Sequence, residues 1–286
     1  MGADLAVVVV NHNAGPYLTR CMDSVRASAG DVGTEVVIVD NGSTDGSGDR
    51  VVRGHPEVRV IRNPENEGFA RAANQGIEAT SSPLLLLLNP DAEVVAGTLA
   101  ALAKVARERP RAGAIGALVR NPDGSIQPSA RRVPRLGEAL AHAFLGPMWR
   151  ENRWTRSYTM ADWDRSSERE VEWVSGSAVL LRREALDEVG RFDEGYFMYV
   201  EDVDLCTRLR RAGWQVLFSP ELEVVHQIGV STKGQRGRMA FAHSDSIYRY
   251  FSKFRATGPS AALKPFVRVA LWVRAVLMSA LAGTRR

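Results

Sequence analysis

Residues 84 to 93 read LLLLLNPDAE, and this stretch decides the fold. Five leucines in succession are typical of a strand that is covered on both faces, as in a parallel sheet between helices. The leucines stop at Asn89-Pro90-Asp91, which puts an amide and a carboxylate at the end of a buried strand. A rigid strand end holds such groups in place, so the stretch predicts a ligand site at the edge of a sheet.

Three similar apolar runs come before the leucines, and stretches of helical composition separate them. The runs are LAVVVVN (5–11), EVVIVDN (35–41) and VRVIRN (58–63), and a strong helix over 96–109 follows the leucines. Alternating strands and helices predict an α/β fold with a mostly parallel sheet flanked by helices. In such sheets, ligands bind at the carboxyl ends of the strands.

Polar residues follow every one of these strands. The segments are Asn11-His12-Asn13, Asp40-Asn41-Gly42-Ser43, 63–68 and Asn89-Pro90-Asp91. Any one of them has a simpler explanation, since Asn, Asp and Gly are common in turns. Four together predict that the segments converge on one crevice.

The second half of the chain has a different pattern. Residues 120–170 predict long loops with short helices, and WVSGSAVLLRR (173–183) predicts a strand broken at Gly176. An amphipathic helix follows from Val203 to a glycine cap at Gly213, which places Glu201-Asp202 at its N-terminus. QVLFSP (215–220) predicts another strand, and residues 233–238 predict a loop.

Composition limits the classes of function. The chain has 286 residues, 45% of them hydrophobic, and a net charge of +4, which gives no indication of a nucleic-acid partner. Its two cysteines lie in predicted helices and are expected to be reduced thiols. The N-terminus predicts a first strand instead of a signal peptide, so we expect a cytoplasmic protein.

These segments, in this order, resemble family-2 glycosyltransferases with the GT-A fold, and more narrowly bacterial rhamnosyltransferases. The resemblance covers roughly residues 5–255 and rests on VVVVNHN, VDNGSTDGS, NEGFARAANQG, LLLLLNPDAE, GSAVLLRREALDEVGRFDEGYFMYVEDVDLCTRLRRAGW and VVHQIGVST. It implies a Rossmann-like nucleotide-binding half, an acceptor-binding half and C-terminal helices. No QxxRW motif of processive synthases is present in the sequence, so transfer of one sugar per encounter is expected.

The resemblance implies roles at the strand ends. Asn89-Pro90-Asp91 occupies the family's DxD position, so Asp91 would bind Mg²⁺ or Mn²⁺ on the diphosphate of a sugar nucleotide. Asn89 departs from the usual aspartate and is expected to bond ribose or a metal-bound water. His226, in a His-x-x-Gly-x-Ser pattern, is the second predicted metal ligand, with a structural histidine as the alternative. The predicted nucleotide contacts are Asn11, His12, Asp40, Asn66, Gly68, Arg71, Asn74, Asn89 and Asp91.

Three of these contacts have specific expectations. His12 would stack on the base, and Asp40 would accept a hydrogen bond from N3–H of thymine or uracil. Gly68 would permit a close approach of the backbone. For Arg71 and Asn74 the alternative is a solvated helix face.

The same resemblance assigns the chemistry to Glu201-Asp202. Asp202 matches the catalytic base that accepts the proton of the acceptor hydroxyl, and Glu201 would orient the acceptor or the base. The helix N-terminus is expected to keep Asp202 ionised. The alternative is that Asp202 only caps the helix.

Several further residues have two alternative roles. Trp173 stacks on a sugar or belongs to the core. Arg131 and Arg132 are candidates for an acceptor phosphate, and Lys233, Arg236 and Arg238 either close over the diphosphate or are solvated.

The C-terminal segment lies outside the catalytic match. We predict a glycosyltransferase domain over 1–258 and a C-terminal amphipathic helix within 259–286. Arg268 and Arg274 argue against a membrane span. The alternatives are a helix at the inner face of the plasma membrane, with snorkelling arginines, and one packed on the domain or in a homodimer.

The sequence therefore predicts an inverting glycosyltransferase that moves a single sugar, L-rhamnose from dTDP-rhamnose, to a glycan or polyprenyl-diphosphate-linked glycan. The product would enter cell-wall or surface polysaccharide synthesis. The alternatives are another UDP- or dTDP-sugar donor, or a sugar-nucleotide-binding protein without turnover.

Overall fold

A mixed ten-stranded sheet forms the centre of the computed structural model, which describes residues 3–133, 137–138, 149, 151–227 and 236–283. In chain order the strands of its main path are β1 (Leu5–Asn11), β2 (Thr34–Asn41), β3 (Arg59–Asn63), β4 (Leu84–Leu88), β5 (Ala92–Val94), β6 (Ala112–Arg120), β11 (Ala178–Arg182) and β12 (Gln215–His226). Their spatial order is β3-β2-β1-β4-β11-β6-β12-β5. Only β11 and β5 run against the other strands of this path, so the predicted mostly parallel α/β sheet is confirmed.

Four shorter strands complete the β-structure of the described residues. β7 (Ile126–Gln127) pairs with β6, and β9 (Arg169–Glu170) pairs with β12. β8 (Ala130–Arg131) and β10 (Trp173–Val174) form a separate two-stranded sheet. The predicted strand over 173–183 is therefore two strands, which belong to different sheets and are divided around Gly176.

Helices connect and cover the strands. In chain order they are α1 (Tyr17–Ser28), α2 (Ser47–Gly54), α3 (Phe69–Glu78), α4 (Thr98–Glu108), α5 (Arg153–Thr159), α6 (Arg183–Val189), α7 (Glu201–Arg211), α8 (Arg236–Phe254) and α9 (Lys264–Gly283). A 3₁₀ turn, Gly258–Leu263, leads into α9.

The leucine run is buried on both faces. Leu84, Leu86 and Leu88 pack in one hydrophobic cluster with Val9 and Ile38. Leu85 and Leu87 point the other way, into a second cluster. Successive side chains of a strand alternate between faces, so only a strand with a core on each side accommodates five leucines in a row.

Two boundaries differ from the prediction. β12 continues to His226 instead of ending at residue 220, because a register shift between Ser219 and Glu223 carries the strand past Pro220. Arg236 and Arg238 lie in α8 and not in a loop. Lys233 and the Gly229, Ser231 and Thr232 of the histidine pattern lie outside the described residues.

α8 and α9 pack against each other through a small hydrophobic cluster of their own. Val267 and Leu271 of α9 are buried against Phe251 of α8 and the neighbouring Ala256. No helix in the described part of the chain is long and apolar enough to cross a membrane. Cys21 and Cys206 are buried and not disulfide-bonded, as predicted.

Candidate functional site

The polar strand ends lie side by side at one edge of the sheet. Asn11, the last residue of β1, pairs in register with Asp40 of β2. Asn41 pairs with Asn63, the last residue of β3. The amide N–H of Asn89, just after β4, donates to the carbonyl of Ser177. The predicted convergence of these ends is therefore confirmed, since parallel strands place their carboxyl ends together.

Asn11 and Asp40 form a buried polar cluster. The Nδ2 of Asn11 donates to Asp40 Oδ1 at 3.2 Å, and it also lies 2.9 Å from Ser47 Oγ. Arg62 donates to Asp40 Oδ2 at 3.4 Å. A Cβ on Gly48 would lie 2.3 Å from that same oxygen, so glycine is required where α2 passes the carboxylate. Asp40 keeps lone pairs for a further donor, which is compatible with its predicted contact with a base N3–H.

The neighbouring residues are bonded to one another. His12 Nδ1 lies 2.9 Å from the Asn41 carbonyl oxygen, which tethers the ring that is predicted to stack on the base. Asn66 Oδ1 accepts from Asn41 Nδ2 and from the Gly68 amide, at 3.0 Å each. These bonds fix the segment that leads into α3.

Gly68 is needed for contact with the protein itself. Its φ is +90°, and a Cβ there would lie 2.6 Å from the Phe197 carbonyl oxygen. The amide of Phe69 donates to that same oxygen at 2.7 Å. The close backbone approach predicted from sequence is therefore made by residue 197 of the chain, and a nucleotide is not needed to explain this glycine.

Arg71 and Asn74, both on α3, have protein partners. Arg71 is exposed and pairs with Glu67 at 2.8 Å. Asn74 is buried, donates to the Phe192 carbonyl at 2.9 Å and to Glu194, and accepts from the Phe192 amide. Asn74 thus holds the chain around Phe192, and a direct contact with a nucleotide would require these bonds to break.

The two predicted metal ligands lie next to each other. His226, the last residue of β12, pairs in register with Ala92, which follows Asp91. Its Nε2 lies 3.1 Å from Asp91 Oδ1 and 3.2 Å from Asn89 Nδ2. The side chains of His226 and Asp91 are both nearly buried. Asn89 contacts the histidine in this structure, and its predicted bond to ribose or to a metal-bound water stays a prediction.

Gln127 determines which nitrogen of His226 carries the proton. Its Nε2 donates to Asn121 Oδ1 and to the His226 carbonyl oxygen, each at 2.9 Å, so its Oε1 faces His226 Nδ1 at 3.1 Å. In the neutral ring, Nδ1 then donates to Gln127, and the lone pair on Nε2 faces both the Asn89 amide nitrogen and the Asp91 carboxylate. Nε2 and the carboxylate oxygen repel each other at this distance unless a proton or a metal cation lies between them, so the donor set is compatible with a divalent metal.

The protein supplies only part of such a coordination shell. No cluster of three or more His, Cys, Asp or Glu side chains suited to a metal occurs among the described residues. Mg²⁺ and Mn²⁺ take about six ligands, so the remaining positions suit water and the oxygens of a diphosphate.

Glu201 and Asp202 begin α7, directly after a strained turn. Tyr199 and Val200 both have φ of +69°, which is rare for residues other than glycine and more so for a β-branched valine. Asp202 Oδ2 accepts from the Gly176 amide at 3.1 Å, and its Oδ1 accepts from the Val203 amide at 2.8 Å. Glu201 is buried, and its Oε2 has no hydrogen-bond partner within the described chain.

Burial changes the protonation of this pair. It raises the pKa of Glu201 well above its usual value, and the nearby Asp202 charge adds to the shift. Burial also raises the pKa of Asp202, although the Gly176 and Val203 amides and the Arg131 charge oppose it. The pKa of Asp202 is therefore raised despite its place at the helix N-terminus, and its predicted ionised state as a base stays a prediction. Of the two carboxyls, Asp202 is better able to hold the negative charge.

Trp173 belongs to the core. It is 5% exposed, and its Nε1 donates to the Arg132 carbonyl at 2.9 Å. The Arg131 guanidinium lies 5.0 Å from the Trp173 ring centroid and 5.3 Å from that of Tyr158. Arg132 lines a cavity of about 800 Å³ together with Arg153 and Arg169.

Gln127 escaped the sequence interpretation, and Arg131 and Gly176 were named there without the roles that the structure gives them. Gln127 orients His226, Arg131 acts on the charge of Asp202, and the Gly176 amide binds Asp202 directly. The glycine break after Trp173 was the one available signal, because a strand that is interrupted near a site exposes an amide. No local pattern marked Gln127.

Comparison with known proteins identifies similar chains. The model of "Glycosyl transferase family 2" matches residues 6–190, and that of "Glycosyl transferase family group 2" matches residues 143–284. An N-acetylglucosaminyl-diphospho-decaprenol L-rhamnosyltransferase of Mycobacterium tuberculosis (strain CDC 1551 / Oshkosh) is 39% identical, over 99% of this chain and 95% of that protein. The rhamnosyltransferase WbbL of Escherichia coli (strain K12) is 28% identical, over 60% of this chain and 62% of that protein.

Two solved structures share the fold. The mannosyltransferase PcManGT from Pyrobaculum calidifontis, in complex with GDP-Man and Mn²⁺, superposes with a TM-score of 0.58 at 19% identity and covers 100% of this chain and 76% of that chain. GalNAc-T7 with UDP, GalNAc and Mn²⁺ gives a TM-score of 0.57 at 18% identity, over 94% of this chain and 55% of that chain. The GT-A fold predicted from sequence is confirmed.

Proposed function

The chain belongs to glycosyltransferase family 2, and we propose that it transfers L-rhamnose from dTDP-L-rhamnose to a glycan carried on a polyprenyl diphosphate. The similarity over nearly the whole length of a decaprenyl-diphosphate rhamnosyltransferase supports both the sugar and the class of acceptor. Asp40, at the end of β2, would accept the N3–H of thymine.

The observation that carries the proposal is the pairing of Asp91 Oδ1 with His226 Nε2 at 3.1 Å, at the edge where the strands end. This pair would hold a divalent cation on the diphosphate of the donor, and the bound cation would neutralise the charge of the leaving nucleoside diphosphate. The two related structures contain Mn²⁺ with GDP-Man and with UDP, which supports this assignment for the present chain.

The transfer is a single displacement at the anomeric carbon. A hydroxyl of the acceptor forms the new glycosidic bond as the bond to the diphosphate oxygen breaks, so the configuration inverts. Asp202 accepts the hydroxyl proton, and two backbone amides keep its carboxylate oriented. Burial raises the pKa of Glu201 beside it, which favours the protonated form of Glu201 and limits the negative charge at the acceptor.

On the acceptor side, Arg132 is the residue proposed to contact a phosphate. With Arg153 and Arg169 it lines the cavity of about 800 Å³, whose acidic residues Glu151 and Asp162 are paired with Arg156, while Asp164 also lies in the lining. A polyprenyl diphosphate brings two negative charges close to its first sugar, and arginine side chains are suited to bind such phosphate groups.

A second candidate function is binding of a sugar nucleotide without turnover, and Asn89 in place of an aspartate favours it. A UDP donor is a further alternative, since Asp40 would accept the N3–H of uracil equally well. Two measurements distinguish rhamnosyl transfer, binding without turnover and transfer from a UDP donor. They are calorimetry with dTDP-L-rhamnose, dTDP-glucose and UDP-GlcNAc, and a transfer assay on a GlcNAc-diphospho-polyprenol. We expect dTDP-L-rhamnose to bind most tightly and rhamnosylated lipid to form. Tight binding without any product would establish the non-catalytic alternative, and product from UDP-GlcNAc alone would refute the rhamnosyl assignment.

The lipid-linked acceptor also suggests a role for α9. Its outward face is apolar, and α9 contains Lys264, Arg268 and Arg274 but no acidic residue. The exposed apolar side chains are Phe266, Val269, Trp272, Val273, Val276 and Leu277. We propose that this face, here called the α9 apolar face, rests on an anionic lipid surface and keeps the enzyme near its acceptor.

A further inference from the structure

The segment that precedes the catalytic pair has a conformation that its own residues disfavour. Tyr199 and Val200 are consecutive and both have a φ of +69°. Val200 is the N-cap of α7, and its carbonyl accepts from the Asp204 amide at 2.9 Å. A β-branched residue enters the left-handed region only when neighbouring structure holds it there. The direction in which Glu201 and Asp202 leave this turn depends on that conformation.

α8 supplies contacts to this turn. Ser246 Oγ donates to the Met198 carbonyl at 2.8 Å, and Ser246 is 4% exposed. The ring of His243 meets the Tyr199 ring edge-on, with 5.3 Å between centroids. The Arg238 guanidinium lies 5.5 Å from the Phe197 ring centroid. Consecutive residues from Phe197 to Tyr199 therefore each touch α8.

The same helix also ties the turn to α7. Lys253 Nζ lies 2.7 Å from Asp193 Oδ2 and 2.7 Å from Asp204 Oδ2. A single ammonium therefore joins Asp193, where the segment leading to the turn begins, to Asp204 of α7. Arg249 adds a hydrogen bond of 2.7 Å to Asp193 Oδ1. Asp204 is fully buried and also accepts from Tyr196 Oη at 3.1 Å. With both ends of the segment fixed, the turn has little freedom to relax.

We propose that α8 is a positioning element for transfer: Ser246, together with Lys253, holds the Tyr199–Val200 turn in its strained form and so aims Asp202 at the acceptor hydroxyl. Neither residue touches substrate in this account; both act through the turn. The inference rests on the proposed role of Asp202 as the base, and it adds a residue set, on a helix from the C-terminal part of the chain, that controls turnover.

Two serines of α8 give a matched test. Ser246 and Ser244 are equally buried, at 4% exposure each, but Ser244 Oγ accepts a hydrogen bond from Arg274 of α9. We expect Ser246→Ala to lower kcat on the order of tenfold, the scale of one lost hydrogen bond to a buried carbonyl. The dissociation constant for dTDP-L-rhamnose should stay unchanged. Ser244→Ala should leave kcat at the parental value, although both variants lose a similar amount of thermal stability.

A rescue separates positioning from ordinary packing. Glycine adopts positive φ without strain, so Val200→Gly makes the turn less dependent on α8. In the Val200→Gly background, Ser246→Ala should change kcat by less than about twofold. Two results would refute the proposal. One is an equal loss of kcat in Ser246→Ala and Ser244→Ala, and the other is a full Ser246→Ala effect on kcat in the Val200→Gly background. If Asp202→Asn transfers at the parental rate, the assignment of the base fails, while the serine comparison still reports whether α8 controls turnover.

Discussion

At the scale of single residues, Asp202 bears the sharpest prediction. Asp202→Asn keeps the shape of the side chain but cannot accept the hydroxyl proton, so we expect transfer to fall about 100-fold or more. Donor binding should persist, because the predicted donor contacts lie at the strand ends. Stopped-flow or discontinuous assays of rhamnosylated lipid, with calorimetry for the donor, provide the measurement. Near-normal transfer would leave Asp202 only as a helix cap.

Arg131 is expected to lower the pH range in which Asp202 acts as a base. Burial raises the pKa of Asp202, and the Arg131 charge opposes that rise. A base acts when deprotonated, so kcat/KM should increase with pH through a limb above about 3.9, the usual aspartate value. Arg131→Gln removes the opposing charge and should move the limb to higher pH, whereas Arg131→Lys should move it little. A limb that stays in place or moves to lower pH in Arg131→Gln contradicts this account.

The metal prediction concerns Asp91 and His226. Asp91→Ala should weaken donor binding and abolish the effect of Mn²⁺ on it, and His226→Ala should do so more mildly. Glu93→Ala is the control, because Glu93 carries the same charge two residues away and is exposed. Titration calorimetry with and without EDTA measures the effect. Donor affinity that EDTA does not change in the parent protein would exclude the metal role of both residues.

At the scale of elements, α9 has two faces with different expected effects. Leu271 is 2% exposed and packs on α8, while the adjacent Trp272 is 59% exposed. Leu271→Ala should therefore cost about 2–5 kcal/mol in the free energy of unfolding. Trp272→Ala should change it by less than about 0.5 kcal/mol. Denaturant unfolding compares the two, and equal destabilisation would show that the outward face is covered in solution.

The arginines of α9 belong to its packed side. Arg268 pairs with Asp245 of α8 at 2.7 Å, and Arg274 contacts Ser244. They do not extend as snorkelling side chains in this structure. Removal of residues after Gly258 would also uncover Phe251 of α8, so truncation would test folding together with membrane binding. Substitutions on the α9 apolar face are the cleaner probe.

At the scale of the whole molecule, the prediction is reversible binding to membranes. The parent protein should sediment with vesicles containing anionic phospholipid at low salt and be released at high salt, because screening weakens attraction between basic groups and headgroups. Phe266→Ser with Trp272→Ser should abolish sedimentation, and the exposed Val52→Ser on α2 should not. A parent protein that remains in the supernatant refutes lipid binding. If light scattering shows a dimer for the parent protein and a monomer for Phe266→Ser with Trp272→Ser, the α9 apolar face belongs to a homodimer interface.

The sequence by itself determined the fold of the half that is proposed to bind the nucleotide. Continuous apolar runs specify β1, β2 and β4, because only strands buried on both faces tolerate them, and parallel strands bring their polar ends to one edge. It thereby located Asp40 and Asp91 at that edge. These signals are local: each depends on residues within one strand and the turn that follows it.

Only the tertiary structure decided how distant residues meet. Asp91 and His226 lie 135 positions apart, and their contact depends on the register between β5 and β12. The protonation of Glu201 depends on burial by elements from several parts of the chain, and the packed and exposed faces of α9 depend on where α8 lies. Sequence periodicity identifies an apolar surface, but the path of the chain determines which residues cover it. A contact between distant segments depends on both of them, so the local sequence pattern of one segment does not predict it.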